Sequence, residues 1–128
     1  MNSFNFKSQV CTSREQSERL LALGLKKETA DCCYYYYDGE YLIAFAEDAK
    51  YPSDIPAWSL HRLIEMMPPD RKYEWLTISK NDVFYRYIHF GEEEFIGPDY
   101  CSDNLYDSFV IMYEWLIKEG YFPKEYLV

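Results

Sequence analysis

Basic residues are scarce in this chain of 128 residues, which has 13 Lys and Arg against 22 Asp and Glu and a formal net charge of −9. Proteins that bind DNA, RNA or anionic lipid without specificity rely on a basic surface. We therefore expect no direct nucleic-acid partner. The length predicts one domain, and 48% hydrophobic residues with 27% charged residues is typical of a globular protein.

Long apolar runs are also absent from the sequence. The N-terminal segment has no apolar stretch of signal-peptide length. No window approaches the roughly 18 apolar residues that a membrane-spanning helix requires. The sequence therefore predicts a cytoplasmic protein with no membrane partner.

The four cysteines, Cys11, Cys32, Cys33 and Cys101, do not follow a metal-binding pattern. They form no Cys-x-x-Cys pair, and no histidine lies at zinc-ligand spacing from one of them. We expect four reduced thiols and neither metal nor cofactor, with a redox or metal role as the alternative.

Common catalytic motifs are missing as well. The five glycines form neither a P-loop nor a dinucleotide-binding turn, and there is no Gly-x-Ser-x-Gly or His-Glu-x-x-His. The spacing does not support a triad of His89, a cysteine and Glu93. These absences do not exclude an enzyme, so a small-ligand or catalytic pocket near His89, Tyr85 and Tyr87 stays open as the alternative function.

The first helix has a clear start and end. Thr12 and Glu15 match a capping box, and Gly24 is a typical residue after a helix end. Residues 1–11 are predicted to form a flexible arm, and residues 12–128 a single α+β domain.

Two further helices follow the same logic. Ser59 is predicted to cap the second helix, and Asp103 or Asn104 the third, which continues to Glu119 with Gly120 after it. Apolar residues at helical spacing predict the core side of both helices. The predicted core residues are Leu60, Leu63, Ile64, Phe109, Met112 and Leu116.

Two β-hairpins separate the helices. Asp38-Gly39, the strongest short hairpin signal, lies between apolar runs at 33–37 and 41–45. A second pair of alternating runs, 73–79 and 83–90, flanks a polar turn. The order α-ββ-α-ββ-α predicts an α+β fold in which three helices pack on a small antiparallel sheet built from the two hairpins.

The first hairpin carries consecutive tyrosines. Neighbouring residues on a strand point to opposite faces, so Tyr34 to Tyr37 cannot all lie in the core. Simple sheet packing is one interpretation, and an exposed interface is the other, with Tyr35 and Tyr37 as the predicted contact residues. Base stacking is disfavoured because residues 31–49 contain no Lys or Arg.

Acidic residues are concentrated between Gly91 and Glu114, where seven acids occur without a Lys or Arg. Residues 91–104 are predicted to be a loop. A solvated surface is one interpretation, and a docking surface for an unknown partner protein with a basic surface is the other. A calcium loop fails the required spacing. The predicted contact residues in this segment are Glu92, Glu93, Glu94, Asp99 and Asp103.

Several short patches resemble a group of uncharacterised small proteins from Bacteroides-type gut bacteria, which are often encoded by prophages and mobile elements. The similar patches are residues 12–25, 29–31, 56–60, 67–68, 106–107, 115–116 and Gly120. The resemblance implies a bacterial mobile-element setting and no activity, cofactor or site. We therefore expect a small, acidic, non-enzymatic interaction protein that serves as an accessory factor of such an element.

Overall fold

The computed structural model describes five stretches of the chain and shows an α+β architecture in them. The described residues are 8–48, 54–68, 74–89, 92–98 and 102–128. The helices within these stretches are α1 (Arg14–Ala22), α2 (Leu60–Glu65) and α3 (Leu105–Lys118), with 3-10 turns at Lys27–Thr29, Ala46–Asp48 and Lys124–Tyr126. The strands are β1 (Cys32–Tyr37), β2 (Glu40–Phe45), β3 (Ile55–Ala57), β4 (Glu74–Ser79), β5 (Asp82–His89) and β6 (Glu92–Ile96).

The strands form two three-stranded antiparallel sheets, ordered β2-β1-β3 and β4-β5-β6. The predicted α+β class, the three helices and both hairpins are confirmed, but the two hairpins lie in separate sheets and not in the single sheet that was predicted. Each hairpin also has a third strand that the sequence pattern did not indicate. β3 is only three residues long, and β6 consists largely of glutamates, so neither shows the usual apolar alternation of a strand.

The start of α1 lies one residue later than predicted. Ser13, not Thr12, is the N-cap, because its hydroxyl accepts the Gln16 N–H at 3.1 Å while the Gln16 side chain accepts the Ser13 N–H at 2.8 Å. The hydroxyl of Thr12 is buried and accepts the backbone N–H of Trp58 at 3.0 Å. Because the Thr12 hydroxyl is engaged in this tertiary contact with Trp58, Ser13 caps the helix in its place.

The remaining helix ends match the predictions. The side chains of Ser59 and Asn104 each accept a backbone N–H from the first turn of α2 and α3. Gly24 and Gly120 follow the ends of α1 and α3 with φ of 101° and 79°.

The core surrounds α3, which packs on β5 and on α1. Phe109, Met112, Leu116 and Leu63 are buried as predicted. Leu60 and Ile64 are partly buried and pack against the margin of the same core. On β5, Val83 and Tyr85 point into it, so one face of the second sheet lies against the helices.

Most of the predicted arm, residues 1–7, lies outside the described residues. Its last part contacts the body of the protein. Gln9 donates a hydrogen bond to the Gln16 side chain at 2.7 Å, and Cys11 is 1% exposed. Among the described residues, no helix is both long enough and apolar enough to cross a membrane.

Candidate functional site

Hairpin β1–β2 exposes an unusual share of the large hydrophobic side chains. Among the described residues it holds five of the ten that are exposed, so these side chains are concentrated rather than scattered. Four of them belong to one side of the hairpin. This aromatic face consists of Tyr36 (65% exposed), Tyr41 (42%), Ile43 (46%) and Phe45 (68%).

The register of the hairpin brings the aromatic face together. Asp38 and Gly39 both have positive φ, 48° and 85°, which is typical of a tight type I′ turn. This turn pairs Tyr36 with Tyr41, and the same register places Ile43 opposite Tyr34. Directly paired residues share a face, so the exposed side chains form one contiguous surface.

Two contacts orient the rings at the turn end of the aromatic face. The rings of Tyr36 and Tyr41 meet edge to face, with centroids 5.3 Å apart. The Arg14 guanidinium from α1 lies 4.1 Å from the centroid of the Tyr41 ring. The hairpin therefore presents Tyr41 in a defined orientation relative to the first helix.

The predicted contact residues Tyr35 and Tyr37 lie on the opposite side of the hairpin, where Tyr35 is half-buried and Tyr37 is 66% exposed. The predicted exposure of tyrosines on this hairpin is therefore observed, but most of it lies on the other face. The alternation of Tyr41, Ile43 and Phe45 is visible in the sequence. Both faces are apolar, however, so alternation alone cannot show which one is covered.

Acidic residues border the aromatic face. Residues 31–49 contain five acids and no Lys, Arg or His. Asp38 and Glu40 lie at the turn and are exposed, and Glu47 is exposed beyond the end of β2. An apolar centre with a charged border is the usual layout of a protein interface.

The acidic segment after Gly91 is not the predicted loop, because residues 92–96 form β6 on the outer edge of the second sheet. The prediction of a loop over 91–104 is therefore wrong for these residues. Glu92, Glu93 and Glu94 lie on β6, and Glu94 is exposed. Asp103 is exposed just before the cap of α3, and Asp99 lies outside the described residues.

Two acids from the end of this segment are used within the fold. The Asp107 carboxylate accepts a hydrogen bond from Gln16 at 2.6 Å. Glu114 forms an ion pair with Arg19 at 2.6 Å. Arg19 lies far from this segment in sequence, so the lack of basic residues along the chain overstated the negative charge in space.

An open pocket of about 710 Å³ lies where the end of β2 meets α2, and its lining includes no histidine or tyrosine. The Asp31 carboxylate in this lining accepts hydrogen bonds from the Ser59 N–H at 2.8 Å and from the Ser59 hydroxyl. Arg62, also in the lining, donates to the Thr29 carbonyl at 2.8 Å. Asp31 and Arg62 are therefore engaged in holding α2 to the chain before β1, and Lys27, Glu28 and Glu47 also line the pocket.

The pocket at the end of β2 is not the predicted alternative pocket near His89, because His89 is not among its lining residues. His89 is the last residue of β5, and its side chain lies outside the described residues. That alternative stays a prediction. His61 is exposed on α2, with its Nε2 atom 3.3 Å from the Glu65 carboxylate.

Three of the four cysteines predicted to be reduced, Cys11, Cys32 and Cys33, are free thiols, and Cys101 lies outside the described residues. Burial raises the pKa of Cys11, and burial together with the Asp31 carboxylate raises the pKa of Cys32 to about 12. Burial also raises the pKa of Tyr34, whose hydroxyl lies 3.6 Å from the Cys11 sulfur and donates to the Thr12 carbonyl. A thiol that keeps its proton at neutral pH is a weak nucleophile and a weak metal ligand.

In the described part of the chain, no three His, Cys, Asp or Glu side chains converge as a metal site would require. The surface with the clearest functional character is therefore the aromatic face with its acidic border. Comparisons of the chain with protein-family models, with curated proteins and with solved structures found no significant match.

Proposed function

We propose that this chain is a non-enzymatic interaction protein that binds a partner protein through the aromatic face of hairpin β1–β2. The observation that carries the proposal is the concentration of exposed Tyr36, Tyr41, Ile43 and Phe45 on one side of one hairpin. Contiguous exposed apolar surface is uncommon on monomeric proteins and marks interaction sites.

The residue types of the aromatic face suit an interface. Aromatic rings bring a large contact area and few rotatable bonds, and they are enriched among residues that dominate binding energy. Burying a fully exposed side chain of this size contributes roughly 1.5–3 kcal/mol. Tyr36 and Phe45 are each about two-thirds exposed, so most of this contribution is still available to a partner.

The charge of the chain indicates the kind of partner. The acidic border of the hairpin favours a partner with Lys or Arg around an apolar centre. The acids of β6 and Asp103 add to the long-range field of a chain whose net charge is −9. We therefore propose a basic partner protein, with the hairpin as the contact and the remaining acids as steering charges.

The cytoplasm and a prophage or mobile element complete the proposed setting. The cytoplasm is inferred from the sequence, and the genetic setting rests only on the resemblance of short sequence patches. Neighbouring genes in the host genome would test the second part, since a chain without mobile-element neighbours would contradict it.

Affinity capture from the native host tests the proposed contact. The tagged wild-type chain is compared with the double variant Tyr36→Ser/Phe45→Ser and with Phe95→Ser as a matched control. Phe95 is 69% exposed and lies on β6 of the other sheet, so its loss removes about as much exposed apolar area as the loss of Phe45 alone, at a different place. Circular dichroism melting checks that all three chains fold.

We expect the double variant to lose a specific partner that the wild type and the Phe95→Ser variant both retain. A partner lost equally from both variants, or from neither, would contradict binding at the aromatic face. A partner lost only from the Phe95→Ser variant would move the interface to the second sheet.

A further inference from the structure

The outer edge of β2 has backbone groups available for pairing. β2 is the last strand in the order β2-β1-β3, and no other described segment pairs with it. The Ala46 N–H donates to the Asp31 carbonyl, which sets the alternation of the β1–β2 ladder. The residues that face β1 are therefore 40, 42 and 44, so the N–H and C=O groups of Tyr41 and Ile43 point outward.

This edge lacks the features that usually prevent strand pairing. Edge strands are commonly interrupted by Pro, Lys, a bulge or an inward charge. β2 contains neither Pro nor Lys, and it pairs with β1 over six consecutive positions without a bulge. By contrast, the outer strand β3 contains Pro56, and β6 carries Glu92, Glu93 and Glu94.

The side chains along the edge are accessible as well. Tyr41, Ile43 and Phe45 are all exposed on the aromatic face. The outward backbone groups belong to two of these three residues. A strand that pairs with the edge would therefore meet both the hydrogen-bonding groups and the aromatic face.

We propose that β2 accepts an extended basic segment of a partner protein as a fourth strand of the first sheet. This inference rests on the proposed function and specifies how the aromatic face binds. The segment has apolar side chains at alternate positions, which pack beside Tyr41, Ile43 and Phe45. Lys or Arg residues flank it, because Asp38 and Glu40 lie at one end of the edge and Glu47 lies at the other.

Charge favours this occupant over a second copy of the same chain. Three exposed acids, Asp38, Glu40 and Glu47, flank this edge in each copy. Pairing β2 with β2 of another copy would bring two such edges together, and like charges across a strand pair are destabilising. A basic segment removes this repulsion and gains from the same acids.

The probe for the test is the acetylated and amidated peptide Lys-Val-Thr-Val-Thr-Val-Lys, with a Glu-flanked version as the charge control. Two further versions carry N-methyl groups on the valines or on the threonines. Alternate N–H groups of a strand point to opposite edges, so each version removes one row of donors. Binding is measured by the fluorescence anisotropy of peptides that carry a fluorescein label in place of the acetyl group, and hydrogen exchange at the Tyr41 and Ile43 amides reports where they bind.

Ile43→Pro is the matching change in the protein. Proline removes only the outward N–H at this position, and it is compatible with an edge strand. Ile43→Thr keeps the N–H and a β-branched side chain, so it serves as the control.

We expect one N-methylated peptide to bind about tenfold more weakly or worse, and the other to bind like the parent, because only one row of donors faces β2. Ile43→Pro should weaken the parent peptide to a similar degree, whereas Ile43→Thr should keep it. The Tyr41 and Ile43 amides should exchange more slowly in the complex, and the Glu-flanked peptide should bind more weakly. Equal binding of both methylated peptides, or unchanged binding to Ile43→Pro, would overturn strand addition.

The native partner separates this inference from the proposed function. A partner lost from Tyr36→Ser/Phe45→Ser but kept by Ile43→Pro would leave the aromatic face as the interface and overturn strand addition. A partner kept by both variants would contradict the proposed function itself. A concentration-dependent dimer that Ile43→Pro abolishes would assign the edge to a second copy and overturn the basic segment as its occupant.

Discussion

Each of the two sheets consists of a hairpin with a two-residue turn and a third antiparallel strand, yet their surroundings differ. In the second sheet, Val83 and Tyr85 of β5 are buried in the core around α3. In the first sheet, β3 packs on α1, while β2 lies at the open edge and exposes Tyr41, Ile43 and Phe45. Similar strand pairing therefore serves packing in one sheet and accessibility in the other.

The comparison shows that apolar content alone does not identify the covered face of a strand. β2 is as apolar as many core strands, but its alternate residues Tyr41, Ile43 and Phe45 stay exposed, although Arg14 of α1 lies over the Tyr41 ring. The difference comes from which helix lies over each sheet. The position of a helix over a sheet depends on tertiary packing, so the apolar pattern of a strand does not predict it.

The largest expected effect comes from comparing two phenylalanines. Phe109 is fully buried on α3, whereas Phe45 is 68% exposed on β2. Phe109→Ala should lower the free energy of unfolding by about 3–5 kcal/mol, because it leaves a cavity in the core. Phe45→Ala should change it by about 0.5 kcal/mol or less. Urea unfolding of both variants measures the difference, and similar losses would show that the hairpin is covered in solution.

Local signals made much of the fold predictable. Asp38-Gly39 determined the first hairpin, and Ser59 and Gly120 marked helix ends, because turn and cap chemistry depends on neighbouring residues. The third strands were not predictable in this way. β3 is held by pairing with β1, which lies far from it in sequence, and β6 is held by pairing with the preceding strand β5. The residues of β3 and β6 themselves show no alternating strand pattern.

The candidate site was predictable in part. The sequence indicates the tyrosine hairpin as an interface, but it does not separate Tyr36, Tyr41, Ile43 and Phe45 from Tyr35 and Tyr37. That choice depends on how far the start of α1 covers the face that Tyr34 and Tyr41 share. Cys11 and Thr12 contact Tyr34, and Arg14 contacts Tyr41. Tyr36, Ile43 and Phe45 on the same face stay exposed. Contacts between residues distant in sequence decide it, and a single sequence does not contain them.

The pH dependence of stability tests whether the Cys32 thiol on β1 is shielded from water. The folded chain holds the Cys32 proton more tightly than the unfolded chain, because burial and the Asp31 carboxylate raise the pKa of Cys32 from 9.0 to about 12. The associated stability is present below pH 9 and is lost as the pH rises toward about 12, since the unfolded state releases the proton first.

We expect the thermal unfolding midpoint of the wild type to decrease as the pH is raised from about 8.5 to about 10.5, which is the start of this window. The Cys32→Ala variant should fall less over the same range, since it lacks this proton. The pKa of buried Tyr113 is also raised, but Cys32 is not among its causes, so Tyr113 contributes equally to both chains and cancels in the comparison. Identical pH slopes would mean that Cys32 is solvated in solution.

Removing the glycine of the first hairpin turn and adding a glycine to the second should have opposite effects on stability. Gly39 has φ of 85° and Lys80 has φ of 46°, a region that favours glycine over residues with a Cβ atom. Gly39→Ala should destabilise the protein by about 1 kcal/mol, whereas Lys80→Gly should stabilise it by about 0.5 kcal/mol after the cost of chain entropy. Thermal unfolding at neutral pH measures both, and a destabilising Lys80→Gly would contradict the conformation of the second turn.

The smallest effect on stability, and the most direct comparison of the two sheets as docking surfaces, comes from neutralising their acids. One variant replaces Asp38, Glu40 and Glu47 with their amides, and the other replaces Glu92, Glu93 and Glu94. Each removes three negative charges from a net charge of −9, so any difference between them reflects position. Both should change the free energy of unfolding by about 0.5 kcal/mol or less, because Asp38, Glu40, Glu47 and Glu94 are exposed.

Association with the partner should slow roughly 3- to 10-fold more in the hairpin variant at low salt, since steering is strongest next to the contact. The difference should shrink as the Debye length falls below about 10 Å above roughly 0.1 M salt. Stopped-flow association rates measured against ionic strength decide the matter. A larger loss in the β6 variant would place the docking surface on the second sheet, as the acidic segment alone had suggested, and would leave the aromatic face as an exposed but unoccupied surface.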